Sequence, residues 1–534
     1  MILTRQSKTL LGASATLAFL GLLSRVLGVF RDRILASHFG ASNLLDVYYV
    51  SFDIPDFVFN LLVVGAVASA FIPVFIEYQS KTEERRRRST EASRSEREEG
   101  EEWNLANNFL NILAVVMAGM SGIIFIFTPW LIHLIAPGFS PEKKDLAVLF
   151  TRVMLFSPII FSVSVVIGSI LQVFQRFLAY SLAPIMYNLG IIFGAIYFVP
   201  RFGPLGLAEG VVLGALLHLL IQLPALKGTG FVWKKIWDFG EAGMRKILKL
   251  MIPRTIGVAL VQINLIILDA LSSKISPGSV TIINLANNFQ YLPISLVGIS
   301  TAVASFPTLS RQALEEDKTV FGERINRTLR QILFIILPLS FLMIYLRTDL
   351  IRIVLGSGLF GPRDVELTGN VLGFFMLGVF AQSVIPFLAR SFYAMQNTRI
   401  PVVASIAGVA ANIFFAWYFS SSLKILALPL AFSLAGILNA VILLVFLKHS
   451  LQSLSLKEIC IYFLKLLYIC SVMLLVVILA DIFINFDVNF LGSLYQIITL
   501  SIIGTLTFVV FSSIFKLKEL EIWIAKVLEM AKIT

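Results

Sequence analysis

Charge is scarce in this chain. Only 14% of its 534 residues are Asp, Glu, Lys or Arg, against roughly a quarter in a soluble protein, and mean hydropathy is +0.88. That shortage excludes a soluble fold of this length and makes the chain a polytopic membrane protein. Cysteine is nearly missing. Cys460 and Cys470 share one late apolar segment, which excludes a disulfide framework or a cysteine metal site and leaves both as small packing residues. Four histidines, His38, His133, His218 and His449, lie scattered, and no Walker phosphate loop, HExxH or GxSxG motif occurs. Neither a nucleotide motor nor a hydrolase is written here, so any transport must draw on an ion gradient, the membrane potential or the substrate's own gradient.

Apolar residues supply 57% of the chain, with 45 phenylalanines among them. Arg5 and Lys8 before the first apolar run loosely mimic a signal peptide, but the run continues into Arg25 and reads as the first transmembrane helix. Spans of roughly 20 apolar residues can be placed about fourteen times. The weaker placements need turns at Arg201 to Pro204 and at Ser420 to Lys424. A net charge of +11 does not signal a nucleic-acid partner, because the basic residues fall mainly in short loops between apolar runs. One alternate set of loops carries roughly three times the Lys and Arg of the other, which puts both termini in the cytoplasm.

The expected fold is all-α and polytopic, with two pseudo-symmetric bundles around a central cavity. Residues 1–230 form an N-lobe of six helices, interrupted by a disordered cytoplasmic loop at 80–102. Residues 231–244, with Trp and Phe alternating with Lys, suit an amphipathic connector lying as a short helix on the membrane surface. Residues 245–450 form the C-lobe, helices seven to twelve, and 451–534 hold helices thirteen and fourteen and a cytoplasmic tail. A weak internal echo supports two parallel repeats: aligning Gln175 with Gln396 superposes an aromatic, a Gln, a polar turn and then a Pro as the next span begins.

The chemistry concentrates in two early stretches, 9–30 and 46–78, the second expected to kink at Pro55. Both are long enough to span, yet they hold or adjoin Arg25, Arg31, Asp32, Arg33, Asp46, Asp53 and Asp56. Charge at bilayer depth costs several kcal/mol, so such residues face a cavity or a partner. Arg25 and Arg31 sit roughly 120° apart around a helix, within one moderately wide polar sector. Arg33 reads better as an interfacial snorkel. A further carboxylate, Asp269, follows Gln262 and Asn264 in an apolar run, and it is either a sodium or proton site completed by Asn412 or a solvated interface group.

The run from Ser24 to Tyr78, APGF at Ala136 to Phe139, the Gln175-Arg176-Phe177 turn with Pro184 and Asn188, and FYAMQNTRIPV at Phe392 to Val402 together resemble the MurJ (MviN) lipid II flippases. These belong to the multidrug/oligosaccharidyl-lipid/polysaccharide exporter superfamily. The resemblance implies a flippase, not an enzyme, in the bacterial inner membrane, moving an undecaprenyl-pyrophosphate-linked peptidoglycan precursor from inner to outer leaflet by alternating access. Its partners would be that lipid, the surrounding membrane lipids and peptidoglycan-synthesis proteins, with no cofactor beyond sodium or proton coupling.

On that reading Arg25 and Arg31 meet headgroup phosphate, since guanidinium binds such groups bidentately, while Asp32 and Asp46 gate or orient. The chain also departs from the family. Phe59 and Asn60 stand where two arginines are usual, Val64 where a Glu is usual, and Asn287-Asn288-Phe289-Gln290 where an arginine motif is usual. Asn288 and Gln290 could still hydrogen-bond a sugar or phosphate, and Arg254 or Arg390 could compensate. Rival readings are a polysaccharide repeat-unit or multidrug exporter on the same fold, and a non-transporting membrane scaffold docking through 80–102.

Overall fold

The computed structural model describes residues 10–64, 70–88, 100–315, 318–451, 453–484, 486 and 489–522, and among these every regular element is helical. The chain divides into two compact units, Met1–Val280 and Thr281–Thr534.

The first unit opens with α1 (Leu10–Phe39), which ends on Gly40 at φ 61°, a left-handed corner that glycine takes without strain. Ser42 then caps α2 (Asn43–Phe59), accepting from the Leu45 amide at 3.5 Å. The expected kink at Pro55 falls elsewhere: α2 stays helical through the proline, and the wide π turn comes at Asn60–Val64. The unit continues with α3 (Ile72–Arg88), α4 (Glu101–Ile135), α5 (Pro141–Met154), α6 (Phe156–Val173) and α7 (Phe177–Phe193). A short α8 (Val199–Phe202) turns through Gly203 at φ 73° into α9 (Gly206–Leu220), the corner expected at Arg201 to Pro204. Along the α7–α9 hairpin a Cβ on Gly190 would lie 2.3 Å from Gly214 Cα and one on Gly194 2.4 Å from Gly210 Cα, so only hydrogen lets the backbones meet.

The last long helix of this unit, α10 (Ala242–Ser272), packs on α2, α3 and α4, which is why the unit boundary falls at Val280 and not at residue 245 where the sequence drew the second lobe. Of the loop expected to be disordered at 80–102, residues 80–88 continue α3 and 101–102 open α4, while 89–99 lie outside the described residues, as do the side chains of Val64 and Arg254.

The connector corrects a second expectation. Residues 231–238 are not a helix but an irregular ribbon, whose backbone groups three asparagines on α4 take. Asn107 donates to the Val232 carbonyl at 2.9 Å and accepts from the Lys234 amide at 2.8 Å. Asn108 repeats this with Asp238 at 2.6 and 2.8 Å and reaches the Glu241 carboxylate at 2.7 Å. Asn111 donates to Lys234 and accepts from Trp233 Nε1 at 3.0 Å. Each amide acts as a neighbouring strand would. Burial pushes the Glu241 carboxyl above its ordinary range, against the hydrogen bond from Asn108.

The second unit continues from α11 (Ser279–Pro293) through a π turn into α12 (Ser300–Gln312), then α13 (Thr319–Tyr345), α14 (Arg347–Leu355), α15 (Pro362–Met376) and α16 (Val379–Ala394). It closes with the hairpin α17 (Arg399–Leu423) and α18 (Ala427–Ser450), then α19 (Leu456–Ile484) and α20 (Phe490–Ile514). The expected turn at Ser420 to Lys424 is there, with Lys424 at φ 50°. Eight helical segments among the described residues are long and apolar enough to cross a bilayer, and a bent pair, α15 with α16, makes a ninth. Two of the eight are the hairpins α7–α9 and α17–α18, each able to cross twice, and α10 adds a shorter apolar stretch at Ala259–Ser272, so the helices are consistent with about fourteen crossings.

Candidate functional site

The charged residues of α1 and α2 converge inside the first unit. Arg31 donates Nε and Nη2 to Asp32 Oδ1 at 3.0 and 2.7 Å, and Nη1 to Asn188 Oδ1 on α7 at 3.1 Å. Asn188 is oriented for this, because its amide nitrogen is tied to the Pro184 carbonyl at 3.0 Å. Asp32 is 7% exposed, whereas the Arg31 side chain keeps 22%. The guanidinium is therefore held by one carboxylate and one amide but remains reachable. Tyr48, Tyr49 and Asp56 on α2 and Tyr187 on α7 stand around it. Tyr48 turns its edge to Phe52 at 4.9 Å, and the buried Tyr49 hydroxyl makes no hydrogen bond.

At the start of α2 a second arrangement forms. Asp46 is fully buried, and its Oδ2 accepts from Lys143 Nζ on α5 at 3.1 Å and from the Gly278 amide at 2.7 Å. Lys143 lies over the Phe139 ring at 4.0 Å. Gly278 sits at φ 85°, and a Cβ there would strike the Ala41 carbonyl at 2.4 Å, so the loop can bring its amide to Asp46 only as glycine. Asp46 thus ties α2, α5 and the loop after α10 together at one end of the unit.

Asp269, 5% exposed near the end of α10, comes close to Asp53 on α2. Two neighbouring carboxyl groups are eased by a shared proton or by a hard monovalent cation between them. Among the described residues no group of three or more His, Cys, Asp or Glu gathers as a metal site.

The structure brings Asp32 to Arg31 and locks Asp46. Arg25 is exposed, six residues before Arg31 on α1, and Arg33 is partly buried. In the second unit Asn288 is exposed on α11 while Gln290 is buried with its carbonyl oxygen unbonded, Arg390 is partly buried on α16, and Asn412 is buried on α17. Sequence reasoning did not assign Asn188, Lys143 or Asp53 to a site. Asp53 was legible as a charge in an apolar run, and Asn188 as the amide one turn after Pro184. Nothing local announces Lys143, one of two adjacent lysines in the polar first turn of α5.

Residues 35–496 match the sequence profile of the family described as lipid II flippase MurJ. The probable lipid II flippase MurJ of Vibrio cholerae is 28% identical over 82% of this chain and 82% of its own length. That of Buchnera aphidicola subsp. Schizaphis graminum is 30% identical over 78% and 79%. Among solved structures, a lipid II flippase MurJ in an inward closed conformation is similar with a TM-score of 0.75 at 25% identity, covering 93% of this chain and 98% of that one. An inward-facing multidrug resistance transporter of the MATE family matches with a TM-score of 0.65 at 14% identity, a likeness of fold alone.

Proposed function

This chain belongs to the MurJ family of lipid II flippases, and from that premise we propose that Arg31 is the group that takes the pyrophosphate of the lipid-linked precursor. The protein is a multi-pass membrane transporter of lipid II, not an enzyme. The observation that carries the assignment is the partly open guanidinium held between Asp32 and Asn188. A pyrophosphate offers several acceptor oxygens and about two negative charges, so it can replace the Asp32 carboxylate on the same fork. Asp32 then serves as the stand-in anion that keeps Arg31 oriented between cycles. Arg25, exposed on the same helix, supplies a second cation to the headgroup. Asp46, bridging Lys143 and Gly278, supports the role of a gate that must break and reform during alternating access.

The coupling step is assigned to Asp269 with Asp53 rather than to Asp269 alone, a proton or a sodium ion occupying the pair. The basic bias of the loops supports both termini in the cytoplasm of a bacterial inner membrane, and the flipped precursor would pass to peptidoglycan-synthesis proteins.

Rescue of flippase-depleted cells by this chain, and its loss in Arg31→Ala with the protein still inserted at normal level, is the expected result. Full rescue by Arg31→Ala would refute the assignment. Asp269→Asn should remove any dependence of transport on the ion gradient, measured in vesicles with the gradient imposed or collapsed; unchanged dependence would remove the coupling role.

A further inference from the structure

Away from the transport residues, the second unit carries a crevice of about 240 Å³ where α13, α19 and the segment after α20 converge. Its lining sets Arg330, Lys465, Lys516 and Lys518 against Glu458 and Glu519. The two carboxylates are already engaged. Glu458 accepts from Arg330 Nη2 at 2.8 Å, and Glu519, 6% exposed, lies against Tyr462. Arg330 also lies over the Tyr462 ring at 5.3 Å, on the crevice wall. Lys465, Lys516 and Lys518 are all exposed, and among the described residues no carboxylate pairs with their ammonium groups.

The corner that carries Lys516 argues for a role beyond solubility. It sits at φ 50°, its amide bonding Ser513 and the next amide bonding Ser512, both at 3.0 Å. This left-handed helix end favours glycine, so a lysine there carries backbone strain. What the side chain adds is an ammonium in the crevice. Just beyond the charged rim, Ile461, Leu464, Tyr468 and Ile514 are exposed on α19 and α20, an apolar face that a membrane protein offers to acyl chains.

We infer that this crevice binds the phosphate of an anionic membrane lipid, its acyl chains lying along α19 and α20. A guanidinium and three ammonium groups around one cavity match a phosphodiester, and the apolar face directly beside them matches what is attached to it. The inference stands apart from the transport assignment and uses none of its residues.

The test is lipid retention by the purified full-length protein in native mass spectrometry, titrated with phosphatidylglycerol or phosphatidylcholine. The unmodified protein retains phosphatidylglycerol in preference. Combined Lys465→Gln, Lys516→Gln and Lys518→Gln lowers that retention by about fivefold for each lysine removed and leaves phosphatidylcholine unchanged. Lys516→Gly guards against a folding artefact: it relaxes the corner, so thermal stability holds or rises while phosphatidylglycerol retention falls. Unchanged preference in both variants overturns the site. Displacement of phosphatidylglycerol by millimolar inorganic phosphate overturns its assignment to lipid and makes it a site for free phosphate.

Discussion

Gln175 turns the chain after α6 at φ 55°, and Gln396 turns it after α16 at φ 58°. The amides that follow close the same way, Arg176 onto the Leu171 carbonyl at 2.8 Å and Asn397 onto the Phe392 carbonyl at 2.9 Å. The backbone of the corner is duplicated, as the alignment of these two glutamines predicts, but the next side chain differs. Arg176 is buried and turns back to the carbonyls of Ala225 and Lys227, whereas Asn397 stays local and caps α17 through the Arg399 and Ile400 amides. The contrast runs through both units. Among the described residues the first buries Asp32, Asp46, Glu102, Arg176 and Asp269, while the second buries amides and hydroxyls and a single charged residue, Glu519. A repeated scaffold can therefore hold unlike chemistry: helix ends and corners are fixed by backbone geometry, while charge follows whichever side chains point inward.

The sharpest way to break this comparison is to remove charge from each unit in turn. Arg31→Ala leaves Asp32 buried without its cation and should cost about 3–5 kcal/mol, read as a fall in thermal midpoint of the purified protein. Arg390→Ala in the second unit, where the guanidinium faces Tyr393 and is only partly buried, should stay within about 1 kcal/mol. Equal losses would mean that burial of charge is not what separates the two units.

How much of this was legible depends on the range over which each feature is determined. Helices, the Gly203 and Lys424 turns and the glutamine corners are set by a few neighbouring residues, and periodicity exposes them. The polar residues of α1 and α2 stood out because apolar surroundings make charge conspicuous. Partnerships did not. Lys143 with Asp46, Asp53 with Asp269 and the three asparagines with the 231–241 ribbon join residues far apart in sequence, and no local pattern encodes which distant group will arrive. The ribbon misleads for a physical reason: its Trp, Phe and Lys pattern satisfies an interfacial helix, but Asn107, Asn108 and Asn111 offer its backbone partners that a helix could not use. Asn108→Ala removes one donor-acceptor pair on Asp238 and should cost about 1–3 kcal/mol, with faster proteolysis confined to 231–241. Protection of that segment at the unmodified level would show that its non-helical form needs no such clamp.

The smallest effect is also the finest test of the duplicated corner. A residue other than glycine in the left-handed region carries a strain of about 1–2 kcal/mol, somewhat less for side chains that tolerate it. If Gln175 and Gln396 occupy the same backbone state by inheritance, Gln175→Gly and Gln396→Gly should each raise stability by about 1 kcal/mol, reduced by the flexibility glycine adds to the unfolded chain. The sign must agree at both positions, because the strain belongs to the backbone and not to the neighbouring Arg176 or Asn397. A gain at Gln396 with a loss at Gln175 would mean that the glutamine side chain, and not the corner, is what the first unit retains, and the two turns would then be alike in shape alone.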